Sequence, residues 1–270
     1  MILSIKNPRI KRLRRLNESA TYRKEVAEFV LEGIRLIEDA INTGAIPKEI
    51  FYTEGLLKRE TGERLFARLS SLGSDIFMVE DALLERLSDT VTSQGIIGIF
   101  EAPKASFDDF IYSKEKGLLI LDAIQDPGNT GTLIRTAAAF DFSGILLLPG
   151  CSDVFNPKTL RATAGSIFRI PVVNSNSTDG AIEKVRASGF KLVVAHSSEG
   201  KYIDEINLGR YPAIVVGNEG HGPSKEIIEF ADELVMLPMA NDVESLNAAV
   251  AGSLLIYESF RRRRKIKPCK

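Results

Sequence analysis

Asp122-Ala-Ile-Gln-Asp126-Pro-Gly-Asn129-Thr-Gly-Thr-Leu-Ile-Arg135 begins where the apolar run Leu118–Leu121 ends. A short continuous apolar run followed by Asp-Pro-Gly-Asn reads as a buried strand, a tight turn and the start of a helix. The arrangement recurs twice. Val216-Gly-Asn-Glu219-Gly-His-Gly222 closes the run 213–216, and Leu237-Pro-Met239-Ala-Asn-Asp-Val-Glu-Ser245-Leu-Asn247 closes the run 233–237. Ligands of open α/β sheets lie outside the carboxyl ends of the strands. Three polar, Gly/Pro-rich loops after three strands therefore predict an α/β fold with one composite site.

Outward from these loops the alternation continues. Strands are expected at 118–121, 145–148, 172–173, 192–195, 213–216 and 233–237, and helices at about 130–140, 157–164, 179–188, 224–230 and 246–262. Upstream, residues 28–100 read as a smaller α/β unit. Its strands fall at 29–31, 50–52, 76–79 and 96–100, and its helices at 33–43, 56–72 and 81–87, an alternation that argues for a mostly parallel, covered sheet. Asn7-Pro8 opens a helix on which Ile10, Leu13 and Leu16 recur among basic residues. The expected organisation is a basic amphipathic helical extension over 1–27, a small domain over 28–102, a linker over 103–117, a larger domain over 118–262 and a basic tail over 263–270.

Composition excludes several classes. Of 270 residues, 44% are hydrophobic, which suits a soluble protein with a sizeable core. No apolar run approaches the roughly 18 residues of a membrane span, and no apolar leader segment follows Met1. Cys151 and Cys269 alone imply no disulfide framework and fit a reducing, cytoplasmic setting. His196 and His221 stand far apart, without Cys or acidic neighbours at ligand spacing, so no metal site is expected. Gly217 to Gly222 lacks the spacing of a dinucleotide fingerprint, and no phosphate-binding loop with Lys-Ser/Thr occurs.

The net charge of −1 conceals an uneven distribution. Lys6, Arg9, Lys11, Arg12, Arg14, Arg15, Arg23 and Lys24 crowd one end, and Arg261 to Lys265 with Lys267 and Lys270 crowd the other. Basic ends on an acidic body suggest either a polyanionic partner contacted at the ends or charged tails that keep the protein soluble. Taken singly, Asn129 reads as a helix N-cap, Arg135 as a solvated helix residue and Ser245 as the cap of the last helix. Gly217 and Gly220 allow close backbone approach to a ligand. Leu246, Val250, Leu254 and Tyr257 fall on one stripe of that last helix.

Together, Asn129 with Arg135, then Gly217-Asn-Glu219-Gly-His-Gly222, then Pro238-Met239 with Ser245-Leu246-Asn247 resemble the three motifs of the SpoU (TrmH-like) branch of the SPOUT methyltransferases. The resemblance implies a SPOUT catalytic domain, with a parallel sheet, helices on both faces and a deep trefoil knot over roughly residues 190–260. It implies S-adenosylmethionine as cofactor at Gly217, Leu237 and Leu246, with Met239, Ser245 and Asn247 beside them. A homodimer formed through the catalytic domain is implied as well. The implied reaction is methyl transfer to a ribose 2′-hydroxyl of RNA, with Arg135 catalytic and Asn129 and Glu219 orienting it and the substrate. The family proposal makes the arginine a base. A guanidinium whose pKa exceeds ~12 does not release its proton, so an electrostatic role is the better expectation.

Phe29-Val-Leu-Glu32-Gly33 and Gln94-Gly95 also look like the substrate-binding domain that precedes many SpoU catalytic domains, a small ribosomal-protein-like RNA-binding fold. RNA contacts are then expected at Arg9, Lys11, Arg12, Arg23 and Arg35. Ribosomal RNA, 23S in particular, is the favoured substrate, and tRNA is the alternative. A non-catalytic RNA-binding protein on the same fold is the reading of another class; the intact Asn129, Arg135 and Glu219 speak against it.

Overall fold

In the computed structural model, which describes residues 1–89, 92–111, 116–240 and 244–266, helix α1 (Pro8–Glu18) starts as its residues dictate. Asn7 Oδ1 accepts from the Arg9 N–H at 2.9 Å, and Pro8 fills the first turn. Its stripe of Ile10, Leu13 and Leu16 is fully buried, in a core shared with Val30, Phe51, Leu84 and Ile97. The helix is therefore no extension. With α2 (Ala20–Val26) it belongs to the first of two units, which spans Met1–Lys104 and Phe155–Phe168.

The rest of unit 1 runs β1 (Glu28–Glu32), α3 (Ile34–Asn42), β2 (Glu49–Tyr52), α4 (Glu54–Leu57), α5 (Glu60–Ser70), β3 (Asp75–Met78), α6 (Asp81–Leu87) and β4 (Ile96–Glu101). The sheet order is β1-β4-β2-β3. Here the mostly parallel sheet expected from the alternation is corrected. The last strand enters between β1 and β2 and pairs antiparallel with both, so β2–β3 is the one parallel pairing of this sheet among the described residues.

Unit 2 spans Ala105–Val154 and Arg169–Lys270. It opens with α7 (Asp108–Ile111), inside the stretch expected to be linker. Phe110 is fully buried, edge-on to Phe107 at 5.5 Å between centroids, and Gly144 leaves it room, since a Cβ there would stand 2.2 Å from the ring. The expected linker is thus partly core; its residues 112–115 lie outside the described residues. Then follow β5 (Leu118–Leu121), α8 (Pro127–Ala139), β6 (Gly144–Leu147), α9 (Pro157–Thr163), β7 (Val172–Asn174), α10 (Thr178–Ala187) and β8 (Lys191–Ala195). The chain finishes with β9 (Lys201–Tyr202), β10 (Pro212–Val216), α11 (Lys225–Phe230), β11 (Glu233–Met236) and α12 (Ala248–Ile266).

The unit 2 strands pair in parallel throughout, in the order β7-β6-β5-β10-β8-β11-β9. The chain steps outward from β5 to β7, then builds the other half, and β10 enters between β5 and β8. This is a topological switch point, where such sheets bind ligands. The expected strands are all present. The additional β9 is two exposed residues long and leaves no hydrophobic pattern.

Helix α9, expected within the larger domain, packs in unit 1. Phe155 and Phe168 bracket it and face Phe29, with centroids 4.7 Å and 6.1 Å away. Phe29 and Val30 point to opposite faces of β1, so residues 155–168 cover the face that α1 does not.

At the far end, α12 continues through the arginine run. Arg261 and Arg262 donate to Glu258, Arg262 also donates to the carbonyls of Ile203 and Ile206 at 2.6 and 2.7 Å, and Arg263 donates to that of Phe140 at 3.3 Å. The hydrogen bond from Arg261, then that from Arg262, holds the Glu258 carboxyl down at about 2 against the opposing effect of burial. Arg263 is accordingly helix and not free tail; Lys267 and Lys270 lie outside the described residues.

Candidate active site

The first and second loops meet because β5 and β10 are neighbours. After β5 the chain turns through Ala123, whose φ of +54° is a left-handed conformation that costs a non-glycine residue about 1 kcal/mol. Its carbonyl accepts from Asn218 Nδ2 at 2.8 Å. Asp122, buried at the end of β5, accepts from the Ser224 N–H at 2.7 Å and so ties this strand to the start of α11.

Asp126, and not Asn129, caps α8, because its Oδ1 accepts from the Asn129 N–H at 2.8 Å. The Asn129 side chain is left for other work. Its Nδ2 donates to Glu219 Oε1 at 2.9 Å, and its Oδ1 accepts from Asn247 Nδ2 at 3.0 Å. One residue from each loop thus joins a single hydrogen-bonded chain. Asn247 Oδ1 accepts from the N–H groups of Ala249 and Val250 at 2.9 and 3.2 Å, so Asn247 takes the capping role expected of Ser245.

Glu219 also accepts from the backbone N–H groups of Gln125 and Asp126 at 3.2 and 3.1 Å. Burial works to raise its carboxyl, but the Asn129 amide and the backbone donors outweigh it, and its pKa lies below the ordinary value.

Gly217 is required by sterics: a Cβ there would stand 2.2 Å from the Pro223 backbone nitrogen. The loop doubles back, with Gly222 N–H donating to the Asn218 carbonyl at 2.9 Å and Asn218 Oδ1 receiving the N–H groups of Gly220 and His221 at 3.0 and 3.1 Å.

Beside these loops lies a cleft of about 320 Å³. Gly217, Leu237, Met239, Ser245 and Leu246 line it, as does Glu219; Asn247 does not, since its amide is used by Asn129 and the helix. Sequence reading missed Ala195, His196 and Ser197, which line the cleft from the carboxyl end of β8. The switch-point rule marks that strand end, whereas residue spacing speaks of His196 only as a metal ligand. The cleft offers apolar walls and glycine-loop backbone, with no lysine or arginine among the described residues that line it. Such a lining fits a neutral purine ring and a sulfonium cation.

Arg135 is exposed on α8 and has no hydrogen-bonding or ionic partner among the described residues. Asn129 and Glu219, expected to orient it, make no hydrogen bond to it among the described residues; they bond each other, Asn247 and the loop backbone.

The expected RNA contacts divide. Arg12, half-buried, is engaged by Glu28 and Glu49, and Arg23 is buried, donating to the carbonyls of Leu16 and Asn17, so both guanidiniums are committed to the fold. Arg9 lies 4.3 Å over the Phe77 ring and 3.3 Å from Glu49. Lys11 and Arg35 are exposed, without a partner among the described residues. Among those residues no group of His, Cys, Asp and Glu is placed to hold a metal, and no helix is long and apolar enough to cross a membrane.

An all-parallel unit with its loops gathered at the switch point, joined to a small mixed-sheet unit, defines a two-unit α/β protein with a small-ligand cleft. Residues 116–257 match the SpoU rRNA Methylase family, and residues 7–98 match the MRM3-like substrate binding domain. The chain belongs to the SpoU rRNA methylase family. It is 34% identical over 256 residues to 23S rRNA (guanosine(2553)-2′-O)-methyltransferase RlmP of Bacillus subtilis, covering 95% of this chain and 97% of that one. An AdoMet-bound rRNA methyltransferase from Sinorhizobium meliloti superposes with a TM-score of 0.86 at 31% identity, covering 97% of each chain. The SpoU methyltransferase AviRb from Streptomyces viridochromogenes, in complex with AdoMet, does so at 0.84 and 26%, over 96% of this chain and 100% of that one.

Proposed function

We propose that this protein methylates a ribose 2′-hydroxyl of RNA, 23S rRNA in the first instance, using S-adenosylmethionine. The observation that carries the reading is the Asn129–Glu219–Asn247 chain beside the cleft, with Arg135 left exposed and unpartnered. The names of the relatives favour rRNA over tRNA. When bound, S-adenosylmethionine supplies a methyl group already made electrophilic by its sulfonium. Gly217, Leu237, Met239, Ser245 and Leu246 would hold it.

Asn129 and Glu219 fix the loops that shape the cleft. Arg135 steadies the negative charge that develops on the attacking oxygen and grips the neighbouring phosphate. It does so as a cation and not as a base. Tritiated S-adenosylmethionine incubated with deproteinised rRNA and, separately, with bulk tRNA tests this. Label at one alkali-resistant position of rRNA is expected; label in tRNA alone moves the substrate, and label in neither despite cofactor binding overturns the activity.

The protein acts as a cytoplasmic homodimer in this reading. Val250, Leu254 and Tyr257 leave an apolar stripe on α12 between 45% and 48% exposed, and a second copy covering it removes that liability. Leu254→Asp should then yield monomers in sedimentation velocity; a wild type that sediments as a monomer ends the proposal. The trefoil knot implied over residues 190–260 belongs to the same reading, and a chain trace from an experimental map tests it.

A further inference from the structure

Unit 1 holds a cleft of about 290 Å³ that the proposed chemistry does not use. It forms where β1 passes into α3. Gly33, at φ +98°, makes the turn, and a Cβ there would stand 3.0 Å from Gln94 Oε1. That oxygen accepts from the Ile34 N–H at 2.8 Å and so caps α3. The Gln94 Nε2 hydrogens are left without a partner among the described residues. Glu32 accepts from Ser88 Oγ and, at 2.9 Å, from the Asp89 N–H. Arg161 pairs with Asp89 at 2.7 Å. Arg35 at the rim has no partner among the described residues. Leu36 and Ala164 supply apolar wall.

We propose that this cleft receives one unpaired nucleotide of the RNA substrate, an inference that rests on the reading of the protein as an RNA-modifying enzyme. Size is the first reason. The volume falls at the small end of ligand pockets, about 300–1,000 Å³, which suits one nucleotide and not a duplex. Charge is the second. Glu32 and Asp89 balance Arg35 and Arg161, so the site is not a bare polyanion trap. Unused amide donors beside an apolar wall suit the edge of a base. RNA is read in sequence mainly where a base is splayed out, and a guanidinium plane serves as a stacking surface where no aromatic ring is present. Arg161 and Ala164 come from residues 155–168, outside the stretch that matches the substrate binding domain. The nucleotide site is therefore completed by a piece of chain that the domain's own sequence does not contain.

The test uses the full chain, deproteinised rRNA and saturating S-adenosylmethionine. Arg35→Ala is expected to raise the KM for RNA about tenfold, the loss of one charge-assisted contact, and to affect kcat less. Gln94→Glu keeps the acceptor that caps α3 but removes the amide donors, and is expected to raise KM similarly without lowering the melting temperature. Ultraviolet crosslinking of wild-type protein to RNA should label peptides containing residues 33–36 or 161–164, and a single-stranded oligonucleotide should compete where a duplex does not. Unchanged KM in both variants, or crosslinks confined to other peptides, overturns the proposal. Crosslinking needs no turnover, so a wild type that transfers no methyl group would sink the activity while the crosslink map still decides the cleft.

Discussion

Helix α1 in unit 1 and helix α8 in unit 2 each present an arginine that the sequence marks as functional, and the two have opposite surroundings. Arg12 is gripped by the carboxylates of Glu28 and Glu49, which are themselves nearly buried. Arg135 touches no polar group among the described residues. A guanidinium surrounded by its own chain's acids is holding the fold. One left exposed without a hydrogen-bonding or ionic partner among the described residues has no such duty in the fold.

The largest expected effect tests the free arginine. Arg135→Ala should lower methyl transfer by about 10²–10³-fold, as removal of a charge-stabilising donor does. Its melting temperature should stay close to wild type, since exposed residues without partners contribute within ~0.5 kcal/mol. A stopped reaction with a collapsed melting temperature would place Arg135 with Arg12.

Next is Gly217→Ala. The added carbon meets backbone and not a movable side chain, so the second loop must open, at a cost of about 1–3 kcal/mol. S-adenosylmethionine binding measured by calorimetry should be lost before the fold is.

Arg12→Ala should cost about 3 kcal/mol in urea unfolding, because two carboxylates lose their cation, while cofactor affinity stays unchanged. Full stability would mean that the pair is not structural.

A smaller effect is expected at Glu219. Its folded pKa lies below the unfolded value, so its stabilising bonds are fully present above the ordinary carboxylate range and are lost as pH falls through the lowered value. Glu219→Gln, which keeps one acceptor, should reduce kcat about tenfold and flatten the acid limb of the stability profile. Lys11→Ala should be the mildest, leaving stability unchanged and reducing the salt slope of RNA binding by about one.

The fold of unit 2 was legible because its strands are continuous apolar runs. Leu118–Leu121 and Pro212–Val216 are buried at every residue, and a parallel sheet covered on both faces demands that. Unit 1 was harder. Its four strands fall where expected, but α2 was not foreseen and the one helix expected over 56–72 is divided into α4 and α5; strand direction depends on where β4 inserts, and no local pattern encodes that. The cap of α8 was misplaced because Asp126 and Asn129 are equally good capping residues, and only the geometry shows which one the helix uses. The fate of Arg12 was illegible for a related reason: Glu49 lies 37 residues away, and spacing within α1 says nothing about it. Arg135, by contrast, is singled out by the company of the other motifs and not by its own chemistry. Alone it reads as a solvated helix residue, and the residues around it gave no sign that it would stay unpartnered.

Residues 155–168, which complete the aromatic face of unit 1 through Phe155 and Phe168, set a timetable for synthesis. The ribosome delivers the first 104 residues early, yet the piece that covers Phe29 is made only after β5 and β6. A growing chain therefore carries an unfinished first unit, with Phe29 lacking its two partner rings, while the second unit's central strands are already emerging. The protein cannot be assembled strictly one unit after the other.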